Sequence, residues 1–282
     1  MDIQEIIEQL HLSGILDHGA REYKYLSGGT SSTVHMLLSD GIPELIIKQN
    51  NPTTIECESF YLNFYHDNAL LPDLIFVNEK YRYLVYDYKP GETRYEKGNK
   101  GIFLETLVEK VINKSKLHSQ YDGFGYLDDP TSSWKEFLLS RAFRARNVLM
   151  DHRVLSEEDH QLIENIINAK EEFKEKYLLH GDCGVHNFLF NNGILQGIID
   201  PTPVIGDPLY DLIYAYCSSP DQLDYETILI ASNQLSCIQL ENHNINEEVM
   251  IGLYFRIATC LVHHPFDLNE YLTAWEYWKS RI

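Results

Sequence analysis

The chain has 282 residues, 44% of them hydrophobic and 12% aromatic, a composition that excludes an intrinsically disordered protein and supports one or two folded cores. Its formal net charge of −19 disfavours nucleic acid and anionic membranes as partners, because both would be repelled. Five scattered cysteines, no leader pattern and no apolar run of about 20 residues predict a cytoplasmic protein without disulfides or structural zinc.

The first predicted elements are a capped helix and a strand, turn and strand. Asp2 begins a stripe of apolar residues at helical spacing that ends before Gly14. Strands are predicted over 22–27 and 33–38. The turn between these strands is Gly28, Gly29, Thr30, Ser31 and Ser32. Such a turn can fold over nucleotide phosphates and donate backbone N–H and hydroxyl groups, although an ordinary hairpin turn is the alternative.

A single lysine ends the next apolar strand, residues 44–48. Lys48 can place its ammonium where it pairs with the α- and β-phosphates of a nucleotide, and a solvated strand-end lysine is the alternative. A helix predicted over 55–68 carries Glu58, which could hold Lys48 in an ion pair. Glu56 competes for this role from a different helical face.

Residues 81–88 predict a strand, and the glycines and proline of residues 89–100 predict a linker. From Gly101 onward the patterns are helical, with helices predicted over 102–118, 133–150 and 156–176. The sequence therefore predicts an N-terminal lobe at 1–88, a hinge at 89–100 and a helical lobe at 101–282.

Charged residues in the helical lobe do not decide whether a substrate bound there is a cation or an anion. Arg141, Arg144 and Arg146 are expected to form surface ion pairs, but facing a substrate site they would favour an anionic acceptor. The C-terminal stripe over 267–282 predicts core packing or a wall of the acceptor site, with acidic candidates Glu270 and Glu276.

Polar residues where short apolar runs end mark the most informative segment. The runs 177–179, 188–190 and 194–199 read as buried strands, and Asp182, Asn187 and Asp200 lie beside them. A phosphoryl-transfer site needs one carboxylate to orient the acceptor hydroxyl, and an Asn and a second Asp to hold Mg²⁺.

This segment also carries a resemblance to a known family. His180-Gly181-Asp182 with Asn187, Ile199-Asp200 and the run Ile-Gly-Asp-Pro-Leu-Tyr-Asp-Leu at 205–212 resemble the catalytic core of the aminoglycoside phosphotransferase family. The resemblance implies an α+β, bilobal protein-kinase-like fold, with a small antiparallel-sheet N-terminal lobe and a larger helical C-terminal lobe. It also implies that Asp182 is the catalytic carboxylate and that Asn187 and Asp200 are Mg²⁺ ligands.

The same resemblance assigns the strand over 81–88 to the purine pocket. Asp87 would offer its carbonyl and Lys89 its N–H to the purine edge. Tyr86 would stand at the gate of this pocket, and a core aromatic is the alternative.

The predicted function is Mg²⁺-dependent transfer of the γ-phosphoryl group of ATP or GTP to a hydroxyl of a small molecule. An aminoglycoside-like acceptor is the first expectation, and a choline- or homoserine-like metabolite is the second. A catalytically inactive nucleotide-binding module is a further alternative, although Lys48 and the three polar residues of the catalytic segment are all present. A remote alternative is a metallohydrolase with His180, Asp182, His186 and Asp200 as ligands.

Overall fold

The computed structural model describes residues 1–17, 22–26 and 32–282. Its helices are α1 (Ile3–Leu12), α2 (Pro52–Phe64), α3 (Lys100–Lys110), α4 (Trp134–Asp151), α5 (Glu157–Ala169), α6 (Leu209–Cys217), α7 (Tyr225–Ser232), α8 (Ile245–His263) and α9 (Leu268–Lys279). Its strands are β1 (Glu22–Leu26), β2 (Thr33–Ser39), β3 (Ile42–Gln49), β4 (Leu74–Val77), β5 (Tyr83–Asp87), β6 (Phe124–Tyr126), β7 (Asp129–Thr131), β8 (Tyr177–Leu179), β9 (Phe188–Asn191), β10 (Ile194–Ile198) and β11 (Val204–Gly206). In this described part of the chain, no helix is long and apolar enough to cross a membrane.

The chain forms two compact units, as the predicted bilobal α+β fold requires. The first comprises Met1–Gly91 and Gln196–Asp200, and the second comprises Glu92–Leu195 and Pro201–Ile282. The sequence-based division assigned residues 196–200 to the helical lobe, whereas these residues cluster with the first unit. The end of β10 clusters with the first unit, where the N–H of Ile198 bonds to the carbonyl of Leu70 at 2.8 Å.

The first unit is an antiparallel sheet covered by α1. The strand order is β1-β2-β3-β5-β4. The carboxylate of Asp2 accepts the N–H of Gln4 at 2.9 Å and caps α1, as predicted. The apolar stripe of α1 packs on Leu37, Ile47 and Val85 of the sheet. Full burial of such aliphatic side chains contributes about 1.5–3 kcal/mol each, so this packing fixes α1 on the sheet.

The second unit is mostly helical. Its helices α4, α6, α8 and α9 pack on one another, and a small antiparallel sheet has the order β7-β6-β11-β8. Tyr271, Trp275 and Trp278 of α9 are fully buried, so the C-terminal stripe forms core. Exposed Ile282 does not extend this stripe.

Two helices of the second unit are shorter than predicted. Helix α3 ends at Lys110, followed by a 3-10 turn at Ile112–Lys114, because residues 116–118 hydrogen-bond to the backbone of residues 176–178. Helix α5 ends at Ala169, because the charged residues that follow continue no apolar stripe.

Candidate active site

The loop after β8 is held in one conformation by its glycine and by a buried carboxylate. Gly181 has a φ of +79°, and a Cβ there would lie 1.9 Å from the carbonyl oxygen of Thr202. Asp211, on α6, accepts the N–H groups of His180 at 2.8 Å and Gly181 at 2.9 Å. Burial raises the pKa of Asp211 to about 6, against the effect of these hydrogen bonds. The loop that presents Asp182 is therefore braced from α6.

Asp182 is ionised at neutral pH and is fixed by three side chains. Burial favours its neutral form, but polar interactions with the side chains of His186 and Tyr214 outweigh burial and lower its pKa to about 2. The Nε2 atom of His186 lies 3.6 Å from Oδ2 of Asp182. The Nδ2 atom of Asn187 donates to the same Oδ2 at 2.9 Å. An ionised, oriented carboxylate of this kind can accept a hydrogen bond from a substrate hydroxyl and aim its oxygen.

Asn187 is suited to hold a hard cation by its remaining amide atom. It belongs to the 3-10 turn Val185–Asn187, and its Nδ2 atom donates to both the backbone oxygen and the carboxylate of Asp182. This orientation leaves Oδ1 as the atom available to a ligand. Amide and carboxylate oxygens are the donors that Mg²⁺ prefers, with waters and phosphates completing its shell.

The first unit contains a buried cluster of one ammonium and two carboxylates. Lys48 Nζ lies 2.6 Å from Oε2 of Glu58 and 2.8 Å from Oδ1 of Asp200. The predicted partner Glu58, rather than Glu56, forms the ion pair. Burial alone would lower the pKa of Lys48, but the two carboxylates raise it overall. For Glu58, burial and the charge of Asp200 raise the pKa against the effect of Lys48.

Asp200 combines backbone strain with accessibility. Its φ of +58° is uncommon for a residue with a side chain, and such conformations cluster at functional sites. Its side chain is 35% exposed, and Oδ1 faces Lys48, which leaves Oδ2 for a cation. Its carboxylate oxygen is a donor of the kind that Mg²⁺ prefers.

The side chains assigned to the purine pocket lie on and after β5. Tyr86 is buried, and burial raises its pKa, with contributions from the charges of Asp200 and Glu58. The Oδ1 atom of Asp87 accepts the N–H of Asp73 at 2.6 Å, and its Oδ2 lies 3.1 Å from Lys89 Nζ. Among the described residues, the N–H of Lys89 has no backbone partner.

The glycine-rich turn is mostly outside the described residues. Gly28, Gly29, Thr30 and Ser31 all lie there. Ser32 is described, and its hydroxyl accepts from Nδ2 of Asn50 at 2.7 Å.

The histidines of the catalytic loop do not form a transition-metal site. The Nδ1 atom of His180 accepts the N–H of Asp182 at 3.3 Å, so this histidine supports the loop backbone. Within the described ranges, no group of three or more His, Cys, Asp or Glu residues could hold a metal ion. The metallohydrolase alternative thus loses its ligand set.

Sequence reasoning missed Tyr214, the phenol that hydrogen-bonds to Asp182. Tyr214 lies three residues after Asp211 on α6, so both face the catalytic loop. The spacing of three residues between Asp211 and Tyr214 was the feature of the sequence that could have identified Tyr214.

The fold and the braced carboxylate define a phosphotransferase with protein-kinase-like architecture. The model of the phosphotransferase enzyme family APH matches residues 22–233, most of the chain, and the chain belongs to this family. No curated protein matches by sequence.

Three solved structures illustrate the likeness. A thermostable mutant of aminoglycoside phosphotransferase APH(4)-Ia, in ternary complex with AMP-PNP and hygromycin B, has a TM-score of 0.65, 17% identity, and coverage of 99% of this chain and 98% of that chain. The streptomycin-ATP-APH(2")-IIa ternary complex has a TM-score of 0.62 and 17% identity, with coverage of 94% of this chain and 91% of that chain. A putative fructosamine-3-kinase from Thermobifida fusca has a TM-score of 0.62 and 14% identity, covering 99% and 98%. At these identities the likeness shows the fold.

Proposed function

We propose that this phosphotransferase moves the γ-phosphoryl group of ATP or GTP to a hydroxyl of a small molecule. The observation that carries the proposal is the ionised carboxylate of Asp182, oriented by Asn187 at 2.9 Å on a loop that Asp211 braces. The acceptor oxygen bonds to the γ-phosphorus while the bond from that phosphorus to the β–γ bridging oxygen breaks. The hydroxyl proton passes to Asp182, and the products are a phosphomonoester and a nucleoside diphosphate.

We assign the remaining groups by their chemistry. Lys48, oriented by Glu58, pairs with the α- and β-phosphates. Asn187 and Asp200 hold Mg²⁺, which when bound neutralises charge on the phosphates. The turn from Gly28 to Ser32 covers the phosphates. The carbonyl of Asp87 and the N–H of Lys89 bond the purine, and Tyr86 limits the depth of its pocket.

The solved relatives support a nucleotide donor and a hydroxylated acceptor. Their descriptions name AMP-PNP or ATP as the nucleotide, with hygromycin B or streptomycin as the second ligand. The fructosamine-3-kinase relative supports a metabolite as acceptor equally well, since it shares the fold. We place the reaction in the cytoplasm, because all five cysteines are free thiols, as in reducing compartments.

The proposal is tested by ligand-dependent stability. A ligand that binds only the folded state raises the apparent stability, so MgATP or MgGTP should raise the Tm, whereas Zn²⁺ alone should not. The Asp200→Ala variant should lose the part of the increase that depends on Mg²⁺. MgATP and MgGTP are then each used as the donor in an acceptor-dependent assay of nucleotide consumption. The proposal would be overturned if neither ATP nor GTP raised the Tm of the wild-type protein in the presence of Mg²⁺.

A further inference from the structure

Two adjoining cavities lie among the helices of the second unit. The inner one, of about 50 Å³, is enclosed by side chains of α4, α6 and α8 and includes Tyr214, the hydrogen-bond partner of Asp182. The outer one is wider, about 270 Å³. Arg141, Phe255 and Thr259 line both cavities. Tyr214 therefore connects the lining of the inner cavity to the carboxylate of Asp182.

The two acidic side chains that line the inner cavity already have partners within the protein. Asp207 Oδ2 lies 2.7 Å from Nε2 of His243, and hydrogen bonding to this carboxylate raises the pKa of His243 against the effect of burial. Glu248 forms an ion pair with Lys170. Neither carboxylate is left to bind an ammonium group of a substrate.

The arginines of the same cavity have no such neutralisation. Across the described ranges, neither Arg141 nor Arg256 forms an ion pair with a carboxylate. The Nε atom of Arg256 donates to the phenol oxygen of Tyr271 at 2.9 Å. The guanidinium carbon of Arg141 lies 4.7 Å from the ring centre of Phe255 and 5.4 Å from that of Tyr210. The cavity thus holds two guanidinium groups without carboxylate partners, in a chain whose formal net charge is −19.

Two buried donors in this cavity also lack acceptors. The Nη1 atom of Arg141 and the hydroxyl of Tyr210 are both shielded from solvent, and neither has a hydrogen-bond partner within the described residues. A buried donor without an acceptor destabilises the folded protein, and a charged donor does so more strongly than a neutral one. A ligand group with several acceptor oxygens can accept a hydrogen bond from each of these two donors.

We propose that this cavity binds a carboxylate or phosphate group of the acceptor, held by Nη1 of Arg141 and the hydroxyl of Tyr210. The inference rests on the proposed function, and it narrows the acceptor to a hydroxylated anion. A polycationic aminoglycoside would meet the guanidinium groups of Arg141 and Arg256 in the inner cavity, where Asp207 and Glu248 already have cationic or imidazole partners. Arg146 plays no part, because it pairs with Glu157 at 2.6 Å.

The test uses acceptors that share one scaffold and differ in charge. Glucose 6-phosphate, glucuronate, glucose and glucosamine carry a phosphate, a carboxylate, no charge and an ammonium, and streptomycin serves as the polycation. With MgATP or MgGTP, we expect kcat/KM for at least one of the two anions to exceed that for glucose by about 10-fold or more. A response to only one anion identifies whether the group is a phosphate or a carboxylate.

Variants locate the effect. Arg141→Gln should raise KM for the preferred anion by about 10-fold and change kcat less, and Arg141→Lys should retain part of the affinity. Tyr210→Phe keeps the ring and removes only the hydroxyl, so it tests the site even where Arg141→Gln folds poorly. Arg146→Gln, on the same helix, is the matched control and should leave kcat and KM for the preferred anion unchanged.

The outcomes separate the two proposals. Stabilisation of each variant by Mg-nucleotide is measured first, and its absence in the wild-type protein counts against the proposed function. If the nucleotide binds but glucose, glucosamine or streptomycin is used as well as the anions, only the inference on the acceptor is overturned. The same conclusion follows if neither anion is phosphorylated, or if Arg141→Gln and Tyr210→Phe leave the KM for the anion unchanged.

Discussion

The ammonium of Lys48 lies 2.8 Å from the carboxylate of Asp200, although 152 positions separate the two residues in the sequence. The same ammonium lies 2.6 Å from Glu58, so one cation offsets two carboxylates in the first unit. The end of β10 belongs to this unit, and it delivers Asp200 to the strand that carries Lys48. The proposed metal ligand and the proposed phosphate-binding lysine are therefore positioned by one another.

The role of Asp182 predicts a defect in turnover with little loss of nucleotide binding. Asp182→Asn keeps the shape of the side chain but removes the charge that orients the acceptor hydroxyl. We expect kcat to fall by about 10²-fold or more, the range for a positioned acid–base group. Affinity for Mg-nucleotide, measured by calorimetry, should stay close to that of the wild-type protein.

The low pKa of Asp182 adds a pH control. Because the folded-state pKa is about 2, Asp182 stays ionised well below neutral pH, and its protonation should not limit kcat there. A variant that turns over acceptor at the wild-type rate would contradict the catalytic assignment.

Removal of the Asp211 carboxylate is expected to lower the free energy of unfolding strongly. Asp211→Ala leaves the N–H groups of His180 and Gly181 without their acceptor in a buried loop. At about 1–3 kcal/mol for each of the two groups, the free energy of unfolding should fall by roughly 2–6 kcal/mol, as measured by urea unfolding. Asp151→Ala removes an exposed carboxylate and is the control, with an expected change within about 0.5 kcal/mol. Equal effects of the two substitutions would exclude the bracing role.

His243 predicts a stability difference that depends on pH. Its pKa is raised in the folded state by Asp207, so its contribution to stability is complete below the ordinary pKa and is lost as pH rises through the folded value. In mildly acid solution the free energy of unfolding of the wild-type protein, measured by urea unfolding, should exceed that of His243→Gln by about 1.5–3 kcal/mol, the range for a hydrogen bond to a charged group. The difference should shrink in alkaline solution. A difference that grows with pH would show that the pair has the opposite linkage.

Local features of the fold were predictable because short-range patterns determine them. The side-chain cap of Asp2 follows from the spacing of apolar residues after it, and the capping box of Ser156 and Asp159 is present at the start of α5. The glycine at position 181 was visible as part of a motif. Its steric cause, the carbonyl of Thr202, lies outside that motif.

Features that depend on tertiary pairing were not predictable from one sequence. The helical pattern over 102–118 continues past Lys110, but hydrogen bonds between 116–118 and 176–178 replace the helix. Arg141 and Arg146 have the same residue type on the same helix. Only packing against α6 and α8 decides that Arg141 lines a cavity while Arg146 pairs at the surface.

Tyr86 predicts the choice of nucleotide. Its ring is 5% exposed, its cross-strand neighbours are Ile46 and Leu74, and its hydroxyl lies near the charges of Glu58 and Asp200. A tyrosine at the proposed gate shortens the purine pocket, and adenine and guanine present reversed donors and acceptors, so a small change in depth changes which base pairs with the backbone. We expect GTP to be used at least as well as ATP. Tyr86→Ala should move the ratio of the two kcat/KM values toward ATP by about 10-fold, or about 1.4 kcal/mol of differential binding.

Tyr83→Phe, which keeps a buried ring on the same strand, is the control and should leave the ratio unchanged. An unchanged ratio in Tyr86→Ala would mean that the ring is only core and that another residue sets the nucleotide preference.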